Sequence, residues 1–517
     1  MERQMPLALR TLNERLHFRC IGPRHIRRLE AFEVDLSDWK LSLTHRNPCF
    51  WIHTPEQLRT APTELAEQVR DAVREAEWRN ETILVCVDGP AEDVRRRLSA
   101  SLTQFIVLDQ RQQKEIHSSD SPTRVMLDLM LAQMSRSQLA PYETSHSVTG
   151  SRFFGREQDL KTILRHKRDT NFIIIGIRRI GKSSLLREIE FQLNRDDPPQ
   201  DAQIRRVYID CSLIKSEEDL YSEILNKLSR TDLKELLGRR GRADRFKAQM
   251  FEYLADVHGG PITYLLDEID PVLENDAGHN LFDVLRKASN EHVARFIMAG
   301  FRHTRAALSN PNSPLFHFGE VRTLTALERS EVKKMVEGPM DQLRVRLQGR
   351  DDLVNRIYRE TAGLPNLVQF YCQSLLKRVD ELGSAAISPD SLRDVYENND
   401  FRDFVLETFV TNSLPLERAL VFALIGTKGL APDASFTQVE MDAELTQRGL
   451  PLPHPELDKA CRNLVSAGIL DPLGRQYSFR IPVFARMLEE QYPIEFVFEK
   501  ARQEYFAQQM PLRAVHA

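Results

Sequence analysis

Cysteine is scarce in this chain, and the residues that occur are widely scattered: Cys20, Cys49, Cys86, Cys211, Cys372 and Cys461. No two of them form a C-x-x-C pair, and no histidine stands at ligand spacing beside them. This pattern argues against a structural zinc site. Scattered thiols of this kind are typical of proteins in a reducing compartment.

The sequence also lacks any hydrophobic run approaching the roughly 18 residues that a membrane span requires. Its first ten residues, MERQMPLALR, place charges on both sides of a few apolar residues and hold no apolar core of signal length. We therefore expect a cytoplasmic protein with no membrane partner.

Neither sign of charge is in strong excess, because 71 Lys and Arg stand against 75 Asp and Glu, a net charge of -4. Bulk electrostatics thus give no reason for tight nucleic-acid binding, although a local basic face stays open. A chain of 517 residues is too long for a single hydrophobic core, and a typical domain size of about 150 residues predicts three or four domains.

The strongest functional signal lies in residues 171–186, NFIIIGIRRIGKSSLL. Three isoleucines predict a short buried strand, and residues 176–183 then read G-x-x-x-x-G-K-S before a helical pattern begins. In such a loop the glycines let backbone N–H groups surround phosphate oxygens, Lys182 neutralises the β/γ charge and the Ser183 hydroxyl ligates Mg²⁺. The following helix points its positive end at the same anion.

A second motif, ITYLLDEID at residues 262–270, offers the acids that a nucleotide hydrolase needs. Asp267, at the end of the predicted strand, would hold Mg²⁺ through water, and Glu268 would accept a proton from the attacking water or orient it. An Asp-Glu pair after a strand is common by itself. Downstream of a complete P-loop it becomes a specific pairing.

Two arginines follow the next apolar run, residues 294–300. In this class of fold the strand after the Asp-Glu strand ends near the γ-phosphate, so Arg302 or Arg305 could report whether that phosphate is present. Either could equally be a surface residue.

Residues 1–138 alternate between apolar runs and helical periodicity, which predicts a separate α/β domain with a largely parallel sheet. Asp88 and Asp109 follow two of the strand-like runs, and QQK at residues 112–114 loosely fits half of a nuclease signature. Turn formation, helix capping and, for Lys114, solvated surface explain these residues equally well. A sensor or partner-binding role is therefore favoured over catalysis.

Residues 139–152 lose apolar periodicity and gather Pro, Ser, Thr and Gly, which predicts a linker. The ATPase core is then expected at 153–320, beginning with FFGRE. In many P-loop ATPases such a segment packs beside adenine and ribose, which makes Arg156 a candidate nucleotide contact. An ordinary capped helix is the alternative.

Helical patterns predict a lid at residues 321–405, and residues 406–490 read as three helices followed by a hairpin, a winged-helix arrangement. A DNA-reading third helix would carry a basic face. The outward candidates are instead a mixed set: Asp458, Lys459, Arg462 and Asn463. Nucleic-acid binding is thus weakly supported. Residues 491–517 predict an amphipathic helix and a frayed end.

Taken in order, FFGRE, GIRRIGKSS, LLDEID, the A-G-F-R strand end, GLP and the wing hairpin resemble a STAND-class ATPase. These are signal-transducing P-loop ATPases related to the AAA+ group, and the likeness is to the archaeal-type ATPases of bacteria and archaea. It covers about residues 150 to 490. It implies an α/β P-loop core with a parallel sheet, a helical lid and a C-terminal winged helix.

The resemblance also implies roles for individual residues. The nucleotide contacts would be Arg156, Gly176, Arg178, Arg179, Ile180, Gly181, Lys182, Ser183, Ser184 and Pro365. The catalytic set would be Lys182, Asp267, Glu268 and Arg302, with Ser183 and Asp267 on the metal. Pro365 belongs to the G-x-P element, whose proline approaches adenine. Where relatives place a histidine on the β-phosphate, this chain has Arg480, so its nucleotide sensing would differ.

The function implied is a nucleotide-operated signalling switch that binds and slowly hydrolyses ATP with Mg²⁺, with bacterial defence as a candidate setting. ADP would hold the lid and winged helix closed, ATP would release them, and the N-terminal domain would engage a protein partner. The resemblance leaves open whether the chain forms a homo-oligomer. The alternative is a DNA-binding AAA+ ATPase resembling the origin-recognition proteins. The R-R-x-G-K-S loop and GLP favour the switch.

Overall fold

Two five-stranded sheets organise the first 323 residues, and helices dominate the rest of the chain. The computed structural model describes residues 7–27, 29–35, 39, 41, 47–52, 62–78, 82–101, 103–166, 170–196, 205–230, 233, 243–275, 280–427, 434–481 and 484–514. Parts of the predicted N-terminal domain and of the predicted C-terminal tail therefore lie outside the described residues.

The N-terminal sheet has the order β1-β2-β3-β4-β5. Its strands are β1 Arg19–Ile26, β2 Leu29–Asp35, β3 Asn47–Ile52, β4 Thr82–Val87 and β5 Gln104–Leu108. The helices of this region are α1 Leu7–Leu16, α2 Pro62–Glu75, α3 Glu92–Leu98, α4 Gln110–Ser118, α5 Pro122–Leu131 and α6 Arg136–Leu139. Strands β3, β4 and β5 pair in parallel, and β4 is buried along its whole length, as its apolar run predicts.

The prediction of a largely parallel sheet is wrong for the first half of this sheet, because β1–β2 and β2–β3 are antiparallel. The sequence hides this hairpin. Gly22 and Pro23 interrupt β1, where the register shifts between Ile21 and Arg24, and Arg27 in the turn has a positive φ of 56° without being a typical turn residue.

The second sheet is entirely parallel and has the order β10-β6-β9-β8-β7, which confirms the predicted parallel core. Its strands are β6 Phe172–Ile175, β7 Arg206–Asp210, β8 Ile262–Asp267, β9 Ala294–Gly300 and β10 Glu320–Thr323. The surrounding helices are α7 Glu157–Arg165, α8 Lys182–Asp196, α9 Glu217–Lys227, α10 Ala243–Val257, α11 Asp270–Asn275, α12 Asn280–Asn290 and α13 Arg302–Ser309. Both faces of the sheet are covered, as parallel strands require.

The predicted core boundary at residue 320 needs correction, because β10 pairs with β6 and extends the core to Thr323. This edge strand, EVRT, is mostly exposed and carries polar residues, so its sequence gives no strand signal.

Two further units complete the chain. The helical unit, residues 329–412, contains α14 Arg329–Gln342, α15 Arg350–Thr361, α16 Pro365–Leu382, α17 Pro389–Tyr396 and α18 Asn399–Asn412, with the short pair β11 Arg346–Leu347 and β12 Ala386–Ile387. The C-terminal unit, residues 415–514, contains α19 Pro415–Thr427, β13 Ser435–Thr437, α20 Gln438–Gln447, α21 His454–Ser466, β14 Leu470–Leu473, β15 Gln476–Phe479, α22 Phe484–Gln491 and α23 Ile494–Ala514. Its three strands form an antiparallel sheet in the order β13-β15-β14.

The predicted linker packs closely against other parts of the molecule. Tyr142 is buried and its hydroxyl donates to the carbonyl of Met335 in α14 at 3.1 Å. The N–H of Glu143 donates to Gln369 Oε1 in α16 at 2.7 Å. Residues 139–152 thus join the N-terminal domain to the helical unit through specific contacts. No helix within the described part of the chain is both long and apolar enough to cross a membrane.

Candidate functional site

The P-loop lies at the carboxyl end of β6, between that strand and α8. Strand β6 is fully buried. Gly181 adopts a φ of 100°, which lets the backbone turn before α8 begins at Lys182. A Cβ on Gly176 would lie 2.7 Å from Ile180 Cγ2 and 3.3 Å from the carbonyl oxygen of Leu324, so this position also requires glycine. The sequence motif therefore folds into a strand–loop–helix anion site.

Lys182 is the cation of this loop, and only 3% of it is exposed. Its ammonium donates to the carbonyls of Gly176 and Ile177, each at 3.1 Å, and lies 3.4 Å from Glu268 Oε1. The fold thus brings the two sequence motifs together. A phosphate entering the loop would exchange these weak partners for its own oxygens.

Asp267 and Glu268 end strand β8, near the P-loop at the same edge of the sheet. Asp267 is 2% exposed, and its Oδ1 accepts from the N–H of Glu268 at 3.0 Å. Its Oδ2 accepts from the hydroxyl of Tyr208 at 2.7 Å. Burial, and next the charge of Asp267, raise the pKa of Tyr208 well above its ordinary value, so this phenol stays a donor. Sequence reasoning gave Tyr208 no role.

The residues present fit a magnesium ion. Asp267 offers a carboxylate at the end of β8 and Ser183 a hydroxyl in the first turn of α8, which are the oxygen donors that Mg²⁺ prefers. In the part of the chain that the structure describes, no group of three or more His, Cys, Asp or Glu side chains could hold a metal.

Arg156 and Ser184 flank the loop on its other side. Arg156 Nη2 donates to the carbonyls of Ile180, at 3.3 Å, and Thr325, and burial lowers the pKa of this guanidinium. Ser184 Oγ accepts from the N–H of Val148 at 3.1 Å. Arg156 and Ser184, which were both predicted to contact the nucleotide, therefore form hydrogen bonds with main-chain groups in this structure.

Arg302 starts helix α13 at the end of β9, as the sequence placed it. Asp270 holds this helix start: its Oδ1 accepts from the N–H of His303 at 2.7 Å, and its Oδ2 accepts from that of Phe301 at 2.5 Å. The Arg302 guanidinium forms two bonds with Glu417 of the C-terminal unit, at 2.7 and 2.6 Å. Arg305 donates to Ser466 Oγ at 2.5 Å. Both sensor candidates therefore contact the C-terminal unit.

The exposed arginines of the P-loop face the end of α18. The backbone N–H of Arg178 donates to Asn412 Oδ1 at 2.9 Å, and Asn412 is 1% exposed. Arg179 pairs with Glu407, with Nη2 2.7 Å from Oε1, and its Cζ lies 4.9 Å from the centroid of the Phe404 ring. Neither Asn412 nor Glu417 was singled out from the sequence.

The GLP element and the hairpin of the C-terminal unit also meet near the loop. A Cβ placed on Gly468 would lie 3.4 Å from Arg480 Nη1, 3.6 Å from Ile177 Cδ1 and 3.7 Å from Leu364 Cδ2. Pro365 starts α16 and is half-buried. Arg480 is thus close to the P-loop, with its Nε 3.1 Å from Asp471 Oδ1.

The carboxylates of the N-terminal domain serve as turn and cap residues. Asp109 accepts from the N–H of Gln112 at 2.8 Å in a capping box, and Asp88 accepts from Gln110 Nε2 at 3.0 Å. Lys114 is exposed. These contacts agree with the capping interpretation rather than with nuclease chemistry.

The candidate recognition helix α21 is partly turned inward. Asn463 Nδ2 donates to Glu417 Oε1 at 2.8 Å, and Asp458 forms an ion pair with Arg462. Lys459 remains exposed. The face that would read a base sequence therefore holds one ion pair within α21 and one hydrogen bond to helix α19 of the same unit.

The family profile described as an AAA domain matches residues 165–308, which span the P-loop and the Asp267–Glu268 pair. This segment is an AAA-type P-loop domain. The match supports nucleotide binding and hydrolysis in general. A comparison with curated proteins found no match to this chain.

Solved structures of three proteins are similar. The ORC2 protein of Aeropyrum pernix, in ADPNP–ADP complexes, is 15% identical over 69% of this chain and 97% of that chain, with a TM-score of 0.52. The Walker-type ATPase of Pyrococcus abyssi is 16% identical over 68% and 99%, with a TM-score of 0.48. The ORC1 protein of Aeropyrum pernix in complex with DNA is 16% identical over 66% and 94%, with a TM-score of 0.37. The likeness to ORC2 shows a shared fold.

Proposed function

We propose that this chain is a nucleotide-operated switch of the STAND type, which binds ATP, hydrolyses it slowly and changes the contacts of its helical and C-terminal units with nucleotide state. The AAA domain supplies the ATPase site. In this proposal the helical unit acts as the lid, and the C-terminal unit acts as a winged helix, which its helices and antiparallel sheet support.

One observation carries this proposal: a single turn between α18 and α19 contacts both the phosphate loop and the sensor position. Asn412 accepts from the Arg178 N–H at 2.9 Å, and the Asn412 carbonyl accepts from Arg302 Nη2 at 2.6 Å. Glu417, 1% exposed, binds the same guanidinium with both of its oxygens. A change in the nucleotide site can therefore act directly on this turn.

The buried pair suggests how ATP and ADP would be distinguished. Glu417 offers Arg302 a planar carboxylate, which a guanidinium binds in the same forked geometry as phosphate. A γ-phosphate that drew Arg302 away would leave Glu417 buried without its charge partner, at a cost of about 3–5 kcal/mol. ADP carries no such group, so the closed arrangement would persist with ADP and weaken with ATP.

The geometry of the loop supports the catalytic roles that we propose. Lys182 and the loop N–H groups bind the phosphates, Ser183 and Asp267 hold Mg²⁺, and Glu268 orients or deprotonates the attacking water. The chemistry that Ser183 and Asp267 would bring to the site by holding Mg²⁺ is neutralisation of phosphate charge. The fold shared with ORC2, which was solved with ADPNP and ADP, supports an adenine nucleotide. Arg156, Arg179 and Pro365 remain proposed nucleotide contacts.

The second candidate is a DNA-binding AAA+ ATPase, since the similar fold of ORC2 is that of an origin-recognition-type protein. The inward contacts of α21 weigh against it, because Asn463 is bonded to Glu417 and Ser466 to Arg305. A titration of duplex DNA across salt concentration separates the two. Tight binding that falls steeply with salt would favour DNA handling.

The direct test of the switch is a nucleotide analysis of the purified protein followed by titration with ATP, ADP and GTP. We expect adenine nucleotide to co-purify and ADP to be held more tightly than ATP. A chain that binds none of the three would overturn the proposal. The N-terminal domain is the proposed site of a cytoplasmic protein partner, and chromatography with each nucleotide would test for a homo-oligomer.

A further inference from the structure

Tyr208 lies on the edge strand β7, beside the strand that carries Asp267. Strands β7 and β8 are parallel, with Tyr208 opposite Leu265 and Asp210 opposite Asp267. The ring leans along the strand, so that its hydroxyl donates to Asp267 Oδ2 at 2.7 Å. Since Oδ1 accepts from the Glu268 N–H at 3.0 Å, both oxygens of this carboxylate have a fixed donor.

The P-loop helix braces the same tyrosine from its other side. Arg187 lies one turn after Ser183 in α8, and its Cζ is 3.3 Å from the centroid of the Tyr208 ring. Arg187 Nη1 also donates to Glu190 Oε2 at 3.1 Å, which fixes the guanidinium. A cation over a ring face is attractive, so the ring of Tyr208 is held between α8 and β8.

We propose that Tyr208 is a positioning residue for Mg²⁺, holding the Asp267 carboxylate in the orientation that receives the metal–nucleotide complex and thereby setting how strongly Mg²⁺ enhances nucleotide binding. This inference rests on the proposed ATPase function. Hydrogen-bond partners of metal-binding groups typically change metal affinity about 10- to 100-fold when removed. Tyr208 meets that description, because its hydroxyl donates a hydrogen bond to Asp267. The residue as a whole is 8% exposed.

The chain provides a matched control. Tyr264 is a second buried tyrosine of the same sheet, on β8 itself, and its hydroxyl has no hydrogen-bond partner among the residues that the structure describes. Tyr264→Phe therefore removes a buried hydroxyl without touching Asp267, whereas Tyr208→Phe removes the hydroxyl that does. Both variants keep the ring and its packing, and Tyr208→Phe also keeps a ring face beneath Arg187.

The experiment measures the affinity of the full chain for a fluorescent ADP, first in EDTA and then across a Mg²⁺ titration. We expect Tyr208→Phe to raise the Mg²⁺ concentration for half-maximal effect about 10- to 100-fold while leaving the affinity in EDTA unchanged. Tyr264→Phe should match the wild type in both. ATP turnover of Tyr208→Phe should recover at saturating Mg²⁺, which separates positioning from loss of structure.

Two results would overturn the inference. An unchanged Mg²⁺ requirement in a folded Tyr208→Phe variant, with the thermal midpoint of the wild type, would show that Asp267 needs no such support. Equal losses in EDTA and in Mg²⁺ would show a structural role instead. If the wild type itself bound no nucleotide, the proposed function would fail with it, and the wild-type titration at saturating Mg²⁺ identifies that case.

Discussion

Arg302 and Glu417 form a bidentate pair between the ATPase core and the C-terminal unit, with bonds of 2.7 and 2.6 Å, although 115 residues separate them in the chain. The Glu417 side chain is 2% exposed and that of Arg302 is 21% exposed. Glu417 also accepts from Leu414 N and Asn463 Nδ2, each at 2.8 Å. The carboxylate thus holds three elements at the position from which a γ-phosphate would be sensed.

Substituting Glu417→Gln should open the molecule. Loss of one partner of a buried pair costs about 3–5 kcal/mol, since the remaining charge stays desolvated. Because about 1.4 kcal/mol corresponds to a tenfold change, ADP should dissociate at least about tenfold faster. Stopped-flow release of a fluorescent ADP measures the rate, and limited proteolysis between α18 and α19 reports the opening.

The control for this variant is Glu407→Gln, which removes another carboxylate that joins the helical unit to the P-loop. Glu407 pairs with Arg179, but its side chain is 53% exposed, and exposed pairs contribute about 0–1 kcal/mol. It should release ADP nearly as the wild type does. Wild-type release from Glu417→Gln as well would contradict a role for the buried pair in closure.

Lys182→Ala should abolish measurable nucleotide binding. The ammonium is buried within the loop, and the charge-assisted bonds that it would form with phosphate are about twice as strong as neutral ones. Calorimetric titration with ADP gives the affinity. Lys247→Ala is the control, because Lys247 is a largely buried lysine of the same domain that pairs with Glu217 and Glu218. Wild-type affinity for ADP in Lys182→Ala would contradict the proposed role of the loop in phosphate binding.

The sequence predicts those parts of the site whose residues are contiguous in the chain. The P-loop and LLDEID each carry strand, turn and acid or cation within one short stretch, so local pattern suffices. Glu417 is one of two charged residues in the apolar helix α19, PLERALVFALIGT, and Tyr208 lies within a strand. The role of each depends on a partner far away in sequence. The edge strand β10 was missed because its pairing with β6 joins residues far apart in the chain, whereas the local β1–β2 hairpin was missed because Gly22 and Pro23 interrupt β1.

Glu268→Gln should retain ATP and lose turnover. The glutamine keeps the size of the side chain but cannot take a proton, and a general base contributes about 10²- to 10⁴-fold to a rate. Phosphate release at saturating ATP measures the loss, and bound nucleotide is quantified by chromatography. Glu320→Gln, an exposed carboxylate on β10, is the control. Hydrolysis at the wild-type rate in Glu268→Gln would exclude Glu268 as the base.

Asp270→Asn tests whether the start of α13 presents Arg302. Asp270 accepts from three backbone N–H groups, those of Phe301, His303 and Thr304, and from the Thr304 hydroxyl. An amide offers only one accepting oxygen, so about two donors lose their partner, at about 1–3 kcal/mol each if they stay buried. We expect a lower thermal midpoint together with faster ADP release, since Arg302 would no longer be aimed at Glu417. Asp283→Asn, an exposed acid in the first turn of α12, should change neither. A fall in stability with unchanged ADP release would show that Asp270 caps the helix but does not orient Arg302.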